Sequence, residues 1–186
     1  FQLAQPHWGF DVEGLWFHSV LAATAAEIIG TQFGEDPRLL FTAGLLHDFG
    51  KISLGAFFKE KYGRLAQSAS NSTALLELER NTYLCDHAEI AGQLFERWNF
   101  PPGLAKAVRF HHSPLAAGEH RRLAAIVCVA NTLAHQVDAV RTPSFGPFPG
   151  QIEAMEILRL SSDDLQVLEE RTVKCTALIE LMCQAA

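Results

Sequence analysis

The sequence predicts an all-α bundle of seven to nine helices. Apolar residues recur at helical spacing along almost the whole chain, and no segment shows the alternating pattern of a β-strand. Of the 186 residues, 48% are hydrophobic and 19% are charged, which is typical of a compact domain with a substantial core. Because the sequence also lacks internal repeats and low-complexity tracts, we expect a single domain over residues 1–186.

Capping residues and helix breakers divide the N-terminal half. Asp11 is a suitable N-cap for a first helix that we expect to end at Gly30, and Asp36 followed by Pro37 begins a second helix. A polar run at 68–72 separates two shorter helices. The predicted helices of this half cover residues 11–29, 36–48, two segments within 55–80, and 86–98.

Prolines delimit the elements of the C-terminal half. Pro101 and Pro102 precede a helix that we expect to run to His112, because Pro114 then interrupts it. A long apolar helix follows, and the prolines and glycines of residues 141–151 predict a loop. The remaining predicted helices cover residues 119–137, 152–160 and 162–184, the last one capped by Ser161 or Ser162.

Charge and cysteine content exclude several classes of protein. The formal net charge of −6 argues against a general nucleic-acid binder. The four cysteines form no C-x-x-C pair and lie in apolar stretches, which is typical of reduced thiols in a cytoplasmic protein. No uncharged run reaches the length of a membrane span, so we predict a cytoplasmic location and no membrane partner. The cysteines are Cys85, Cys128, Cys175 and Cys183.

Several polar residues lie on apolar helix faces. A buried polar ring without a partner costs about 1–3 kcal/mol, so a partner shared by many such residues is an economical explanation. Imidazoles with one carboxylate suit a divalent transition metal, although a hydrogen-bonded network without metal is the alternative. The inward-facing residues are His18, His47, Asp48, His87, His111 and Asn131, whereas we interpret His7, His120 and His135 as solvated.

The segment G-L-L-H-D-F-G-K at residues 44–51 is the sharpest local signal. The adjacent His47 and Asp48 at a predicted helix end can turn toward one centre. Gly50 allows a tight turn after this helix end, and Lys51 places a positive charge beside His47 and Asp48.

Six motifs carry a resemblance to a known family. They are W-F-H-S at 16–19, A-G-L-L-H-D-F-G-K at 43–51, D-H-A-E-I-A-G at 86–92, R-W-N-F-P at 97–101, H-H-S-P at 111–114 and V-A-N-T-L-A at 129–134. From about Trp16 to its end, the chain resembles HDOD domains. These are output domains of bacterial signalling proteins, related to the HD superfamily of metal-dependent phosphohydrolases.

The resemblance implies a helical HD-type bundle with a site for one or two divalent metal ions. Iron or manganese is favoured, with zinc, nickel or magnesium as alternatives. By position in the motifs, one ion is held by His18, His47, Asp48 and Asn131, and a second by Asp48, His87 and His111, with His112 as an additional ligand. Asp48 and Lys51 match the catalytic positions, and Lys51 matches a lysine that contacts substrate phosphate.

Three departures from the patterns of these related proteins matter for function. Asn131 stands where catalytic HD proteins have an aspartate, as it often does in HDOD domains, so the first ligand set loses one negative charge and we expect weaker metal binding. The segment after the paired histidines reads H-H-S-P-L-A-A-G and lacks the G-Y-P motif of the subclass that hydrolyses cyclic di-GMP. HDOD domains also usually have a preceding helical half, so we expect this chain to be the C-terminal half of a longer HDOD protein, with a shortened member of the family as the alternative.

Three functional hypotheses follow. The first is a bacterial regulatory domain that contacts other signalling domains, in which the metal site is catalytically degenerate. The second is an enzyme, a metal-dependent phosphohydrolase that acts on a nucleotide or another phosphate ester. The third is an interaction module that binds no metal.

Overall fold

The structure, a computed structural model, describes residues 11–138 and 148–184. These residues form eleven α-helices and one 3-10 helix, with no strand among them, which confirms the predicted all-α class. The helices are α1 (Val12–Phe33), α2 (Pro37–Leu46), α3 (Phe49–Phe58), α4 (Glu60–Ser68), α5 (Ser72–Tyr83), α6 (His87–Arg97), α7 (Pro102–Arg109), the 3-10 helix (Pro114–His120), α8 (Arg121–Val137), α9 (Gln151–Leu158), α10 (Ser162–Val173) and α11 (Thr176–Gln184).

Four predicted helix starts are confirmed by their caps. The side chains of Asp11, Asp36 and Asp86 each accept a hydrogen bond from a backbone N–H of the first turn that follows. Ser161 caps α10 in a reciprocal capping box with Asp164. The predicted loop at 141–151 falls largely outside the described residues, and α9 begins at Gln151.

The prediction that Gly30 ends the first helix is wrong. Gly30 is fully buried within α1, where it lies against the side chain of Leu40. Helix α1 continues for one more turn to Gly34, which has the left-handed φ of 69° that glycine tolerates at a C-cap. The favourable packing of Leu40 against Gly30 thus outweighs the low helix propensity of glycine at this position.

Several helices are also shorter than predicted. The predicted second helix ends at Leu46, the helix after Pro102 ends at Arg109, and the predicted closing helix divides after Val173. The first two shortened ends matter most, because they place His47, Asp48, His111 and His112 in turns between helices. A turn lets adjacent residues point toward one centre, which a continuous helix would not allow.

Helices α1 and α8 form the middle of the core. Helix α1 packs against α2 and α8, and α8 also packs against α7, α9 and α10. By length and composition α1 could cross a membrane, but over half of its most apolar window is buried inside the fold, as in the core helix of a soluble protein. Alanine is frequent on both helices, and these small side chains let the helices approach closely.

Two glycines in the 44–51 segment let the chain pass close to its neighbours. A Cβ atom on Gly44 would lie 2.7 Å from the backbone oxygen of Ala22, and one on Gly50 would collide with the carbonyl oxygen of His87. The His47–Asp48 turn is therefore held between α1 on one side and the start of α6 on the other. Both contacts are with backbone atoms, which cannot move aside as a flexible side chain can.

We predict that Gly50→Ala lowers the free energy of unfolding by about 1–3 kcal/mol, because the added methyl group separates α3 from α6. Gly103→Ala in α7 is the matched control, since its methyl group would meet only side-chain atoms, the end of Leu123 at 3.0 Å and the His120 ring at 3.6 Å. Urea unfolding curves of both variants measure the effect. Equal stability of Gly50→Ala and the wild type would contradict this close approach.

Candidate metal centre

The structure brings all the residues predicted for the site into one buried cluster. Helices α1, α6 and α8 contribute His18, His87 and Asn131, and the turns after α2 and α7 contribute His47, Asp48, His111 and His112. Lys51 reaches the cluster from the first turn of α3. Two groups have ligand atoms that all lie within 4.8 Å of one another: His18, His47 and Asp48, and His87, His111 and His112.

Asp48 is the centre of the cluster. Its Oδ2 atom accepts a hydrogen bond from Lys51 Nζ at 2.7 Å and lies 3.3 Å from His47 Nε2 and 3.8 Å from His18 Nε2. Its Oδ1 atom lies 3.2 Å from His87 Nε2. The two oxygens of one buried carboxylate therefore face both histidine groups.

A second buried carboxylate orients His87. Glu79 Oε2 accepts hydrogen bonds from the backbone N–H of His87 at 2.9 Å and from its Nδ1 at 2.7 Å. Tyr62 donates its hydroxyl hydrogen to the other oxygen of Glu79, at 2.7 Å. This arrangement directs His87 Nε2 toward Asp48, and a carboxylate behind a histidine is the usual support for a metal-binding imidazole.

Backbone carbonyls orient His47 and His111 in the same way. The Nδ1 atoms of these residues donate hydrogen bonds to the carbonyl oxygens of Gly44 and Val108, each at 2.7 Å. Their Nε2 atoms are buried and have no hydrogen-bond partner among the described residues. With Nδ1 protonated, each Nε2 carries a lone pair, so these orphaned nitrogens fit a metal ion.

The start of α6 fixes the position of His87. Asp86 and Glu89 form a capping box, and Arg80 holds the Asp86 carboxylate by hydrogen bonds of 2.9 Å from Nε and 2.6 Å from Nη2. His87 is consequently the first residue of α6, where its backbone N–H is free to bind Glu79.

The neutral histidines of the cluster are suited to metal binding. Burial lowers the pKa of His18, His111 and His112 well below the ordinary value, and neighbouring histidines lower it further. Burial alone would raise the pKa of Asp48, but His47 and Lys51 outweigh it and hold that pKa well below its usual range. Neutral imidazoles and an ionised carboxylate are the protonation states that a metal requires of its ligands.

His87 differs from the other histidines. Burial would lower its pKa, but the charge of Glu79 opposes burial and raises the pKa to about 9. Without metal, His87 is therefore protonated at neutral pH and lies between the carboxylates of Glu79 and Asp48. A metal ion bound here would have to displace this proton, so its affinity would increase as the pH rises toward 9.

A cavity of about 200 Å³ adjoins the cluster. His18, Asp48, Lys51 and Tyr62 lie on its polar side, and its remaining wall is mainly apolar, with Leu15 and Leu75 among its residues. Lys51 carries its positive charge beside the Asp48 carboxylate on the cavity wall, and Asp11 adds a second carboxylate to the same lining.

Comparison with a family model shows to which family this chain belongs. A model described as the HDOD domain matches residues 1–114, which is more than half of the chain. This chain belongs to the HDOD family. The order of its motifs had indicated the same family, and the fold places residues from five of the six motifs around one centre.

Two solved structures are similar to this HDOD domain. The MmoQ response regulator from Methylococcus capsulatus is 27% identical with a TM-score of 0.64, and the match covers 87% of this chain and 62% of that one. An HDOD domain protein with unknown function from Geobacter sulfurreducens has a TM-score of 0.67 and 20% identity, covering 94% and 62% of the two chains, which shows a shared fold.

A curated relative is much longer than this HDOD domain. Ribonuclease Y from Sulfurovum sp. is 25% identical over 149 residues, which are 80% of this chain but 24% of the ribonuclease. The HDOD domain therefore spans about a quarter of the length of that relative. The expectation that it is the C-terminal half of a longer HDOD protein stays a prediction.

The interpretation of His135 as solvated is wrong. Its ring lies 4.3 Å from the His18 ring between centroids, it lines the cavity, and its Nδ1 atom is buried without a hydrogen-bond partner in the described part of the chain. Burial lowers its pKa to about 3. One helical turn after Asn131, His135 faces the same side of α8 as Asn131 does. His120 lies at the surface beside Glu119, and His7 falls outside the described residues.

Sequence reasoning missed three residues of the site, namely Tyr62, Glu79 and His135. Glu79 could have been found, because it lies three and four residues after Leu76 and Leu75 and therefore on the apolar face of α5. His135 lies four residues after Asn131 and offered the same signal. Tyr62 had no comparable signal, since its partner Glu79 is 17 residues away in the sequence.

Proposed function

We propose that this HDOD domain is a regulatory module of bacterial signalling proteins whose histidine cluster binds a divalent metal ion. The observation that carries the metal proposal is the pair of buried, unpartnered Nε2 atoms of His47 and His111 among the described residues. Two unsatisfied polar atoms in a packed core would each cost about 1–3 kcal/mol, and one cation would satisfy both.

The proposed ligands are the residues that the family motifs indicated. They are His18, His47, Asp48, His87, His111, His112 and Asn131. Imidazole nitrogen with a single carboxylate suits iron or manganese, which we propose as the bound metal, with zinc, nickel or magnesium as alternatives. When bound, such an ion would supply positive charge and Lewis acidity.

A regulatory role is favoured over catalysis by Asn131. An amide oxygen at this position brings no charge, and Asn131 Oδ1 is already hydrogen-bonded to His18 Nε2 at 3.0 Å. Support for signalling also comes from the MmoQ response regulator, which is 27% identical. We propose that the partners are other signalling domains in the cytoplasm.

We predict that the purified domain binds a divalent metal and that Glu79→Gln weakens this binding about 10- to 100-fold, because a neutral amide no longer supports His87 with a charge. His120→Gln is the matched control, since His120 lies at the surface beside Glu119, outside the cluster. Equilibrium dialysis against Mn²⁺ or Fe²⁺ under anaerobic conditions, followed by elemental analysis, measures the affinity. A wild-type domain that takes up none of the tested metals would contradict the proposal.

The second candidate function is a metal-dependent phosphohydrolase acting on a nucleotide or another phosphate ester. The observation that favours it is Lys51, whose ammonium group lies beside Asp48 and lines the cavity. Ribonuclease Y, a relative at 25% identity, bears the name of an enzyme that cleaves phosphate esters. In this role Lys51 would hold the anionic phosphate, and Asp48 would hold metal.

The two proposed functions predict different hydrolytic activity toward generic phosphate-ester substrates. For a regulatory domain, we expect that metal-loaded protein hydrolyses p-nitrophenyl phosphate and bis-p-nitrophenyl phosphate no faster than Asp48→Asn does. An enzyme would instead lose activity in Asp48→Asn, and Lys51→Met would lower kcat/KM while leaving metal content unchanged. Measured turnover that depends on both Asp48 and Lys51 would favour the enzyme and reject the regulatory interpretation.

A further inference from the structure

Large apolar side chains are exposed where the C-terminal ends of α3 and α5 meet. Phe57 is 84% exposed and Leu84 is 92% exposed. Their sequence neighbours Phe58 and Tyr83 join the two helix ends, because these two rings lie 4.4 Å apart between centroids. We call these four residues the apolar patch. Exposed apolar side chains that lie together are typical of a contact surface for another protein.

The backbone beside the apolar patch has an uncommon conformation. Leu84, which follows Tyr83, has a φ of 65°, and Lys59, which follows Phe58, has a φ of 47°. This region of φ favours glycine and is strained for larger side chains. Leu84 gains no burial that would offset the strain, since its side chain is almost fully exposed. Such strain is typical of functional positions, which supports the patch as a contact surface.

Positive charge borders the apolar patch. Residues 57–64 contain three cations, Lys59, Lys61 and Arg64, and one carboxylate, Glu60, so this segment has a charge of +2 in a chain of net charge −6. All three cations are exposed, and none forms an ion pair with another residue of the described ranges 11–138 and 148–184. A complementary surface therefore combines apolar side chains with carboxylates.

Helix α10 of the same chain offers such a surface. It contains four carboxylates and one arginine. A groove of about 620 Å³ lies along this helix, and its described lining includes the apolar side chains of Leu165 and Val173, the carboxylates of Glu169 and Glu170, and one cation, Lys174. We call it the acidic groove. Its volume lies within the range of about 300–1,000 Å³ that is common for binding sites, so an aromatic side chain can enter it.

The apolar patch and the acidic groove lie on different parts of the fold. Helix α10 packs against α1 and α8, whereas α3 packs against α4 and α6, and α5 packs against α4. A contact between the patch and the groove therefore joins two copies of the chain.

We propose that the apolar patch of one copy binds the acidic groove of a second copy. Phe57 and Leu84 supply the apolar contact, and Lys59 and Lys61 face the carboxylates of α10. Because the two surfaces differ, each pair leaves one patch and one groove open, and further copies add head to tail. This association involves none of the residues of the histidine cluster and does not depend on metal binding.

Sedimentation velocity at increasing protein concentration tests this proposal, and the wild type should form dimers and longer species. Phe57→Ser/Leu84→Ser should weaken association at least about tenfold, because buried aromatic anchors dominate the binding energy of an interface. Glu169→Lys/Glu170→Lys should weaken it as well, because like charges would then face each other. Ile152→Ser is the matched control, since Ile152 is 71% exposed but lies in α9, outside both surfaces.

A mixture of the two double variants identifies the surfaces that meet. One variant keeps only the acidic groove and the other keeps only the apolar patch. Each alone should be monomeric, and an equimolar mixture should form a 1:1 dimer that does not grow further. Association of either double variant at wild-type strength, or a mixture that stays monomeric, would overturn the proposal.

A wild type that stays monomeric at its highest soluble concentration would also overturn the proposal. Circular dichroism checks that both double variants keep the helix content of the wild type. Zn²⁺ binding by the same variants, measured in parallel, should equal that of the wild type. Failure of self-association with intact Zn²⁺ binding therefore rejects this interface alone, whereas loss of Zn²⁺ binding by the wild type would contradict only the proposed function.

Discussion

The Asp48 carboxylate is the group on which the rest of the site depends. A buried carboxylate is costly unless charged or polar partners surround it, and here the partners come from several helices. Lys51 in α3, His18 in α1 and His87 in α6 all lie within 4 Å of its oxygens. Satisfying this one charge therefore requires three helices to meet at one point.

A layer of supporting groups makes this arrangement specific. Glu79 and the carbonyl oxygens of Gly44 and Val108 each accept a hydrogen bond from the Nδ1 atom of one histidine. Each bond leaves the opposite ring nitrogen directed into the cluster. Gly50 contributes in another way, because only its missing side chain lets α3 lie against the backbone of His87. The ligand geometry is thus a property of the surrounding fold as much as of the histidines.

Much of the fold and of the site could be predicted from the sequence. Asp36 and Asp86 indicated helix starts because capping is a local interaction, and His18 and Asn131 stood out because an inward polar residue breaks an apolar helical pattern. Helix ends were harder to predict. Gly30 continues its helix because of a contact with Leu40, ten residues away, which local propensity does not contain. His135 was misinterpreted for the same reason, since its burial depends on His18 in another helix.

The central claim is that the buried histidines around Asp48 bind a divalent metal ion. Anomalous diffraction from crystals soaked in Zn²⁺ would test this most directly. The account predicts an anomalous peak inside the cluster, within coordination distance of Asp48. No peak in the cluster at full soaking would contradict it.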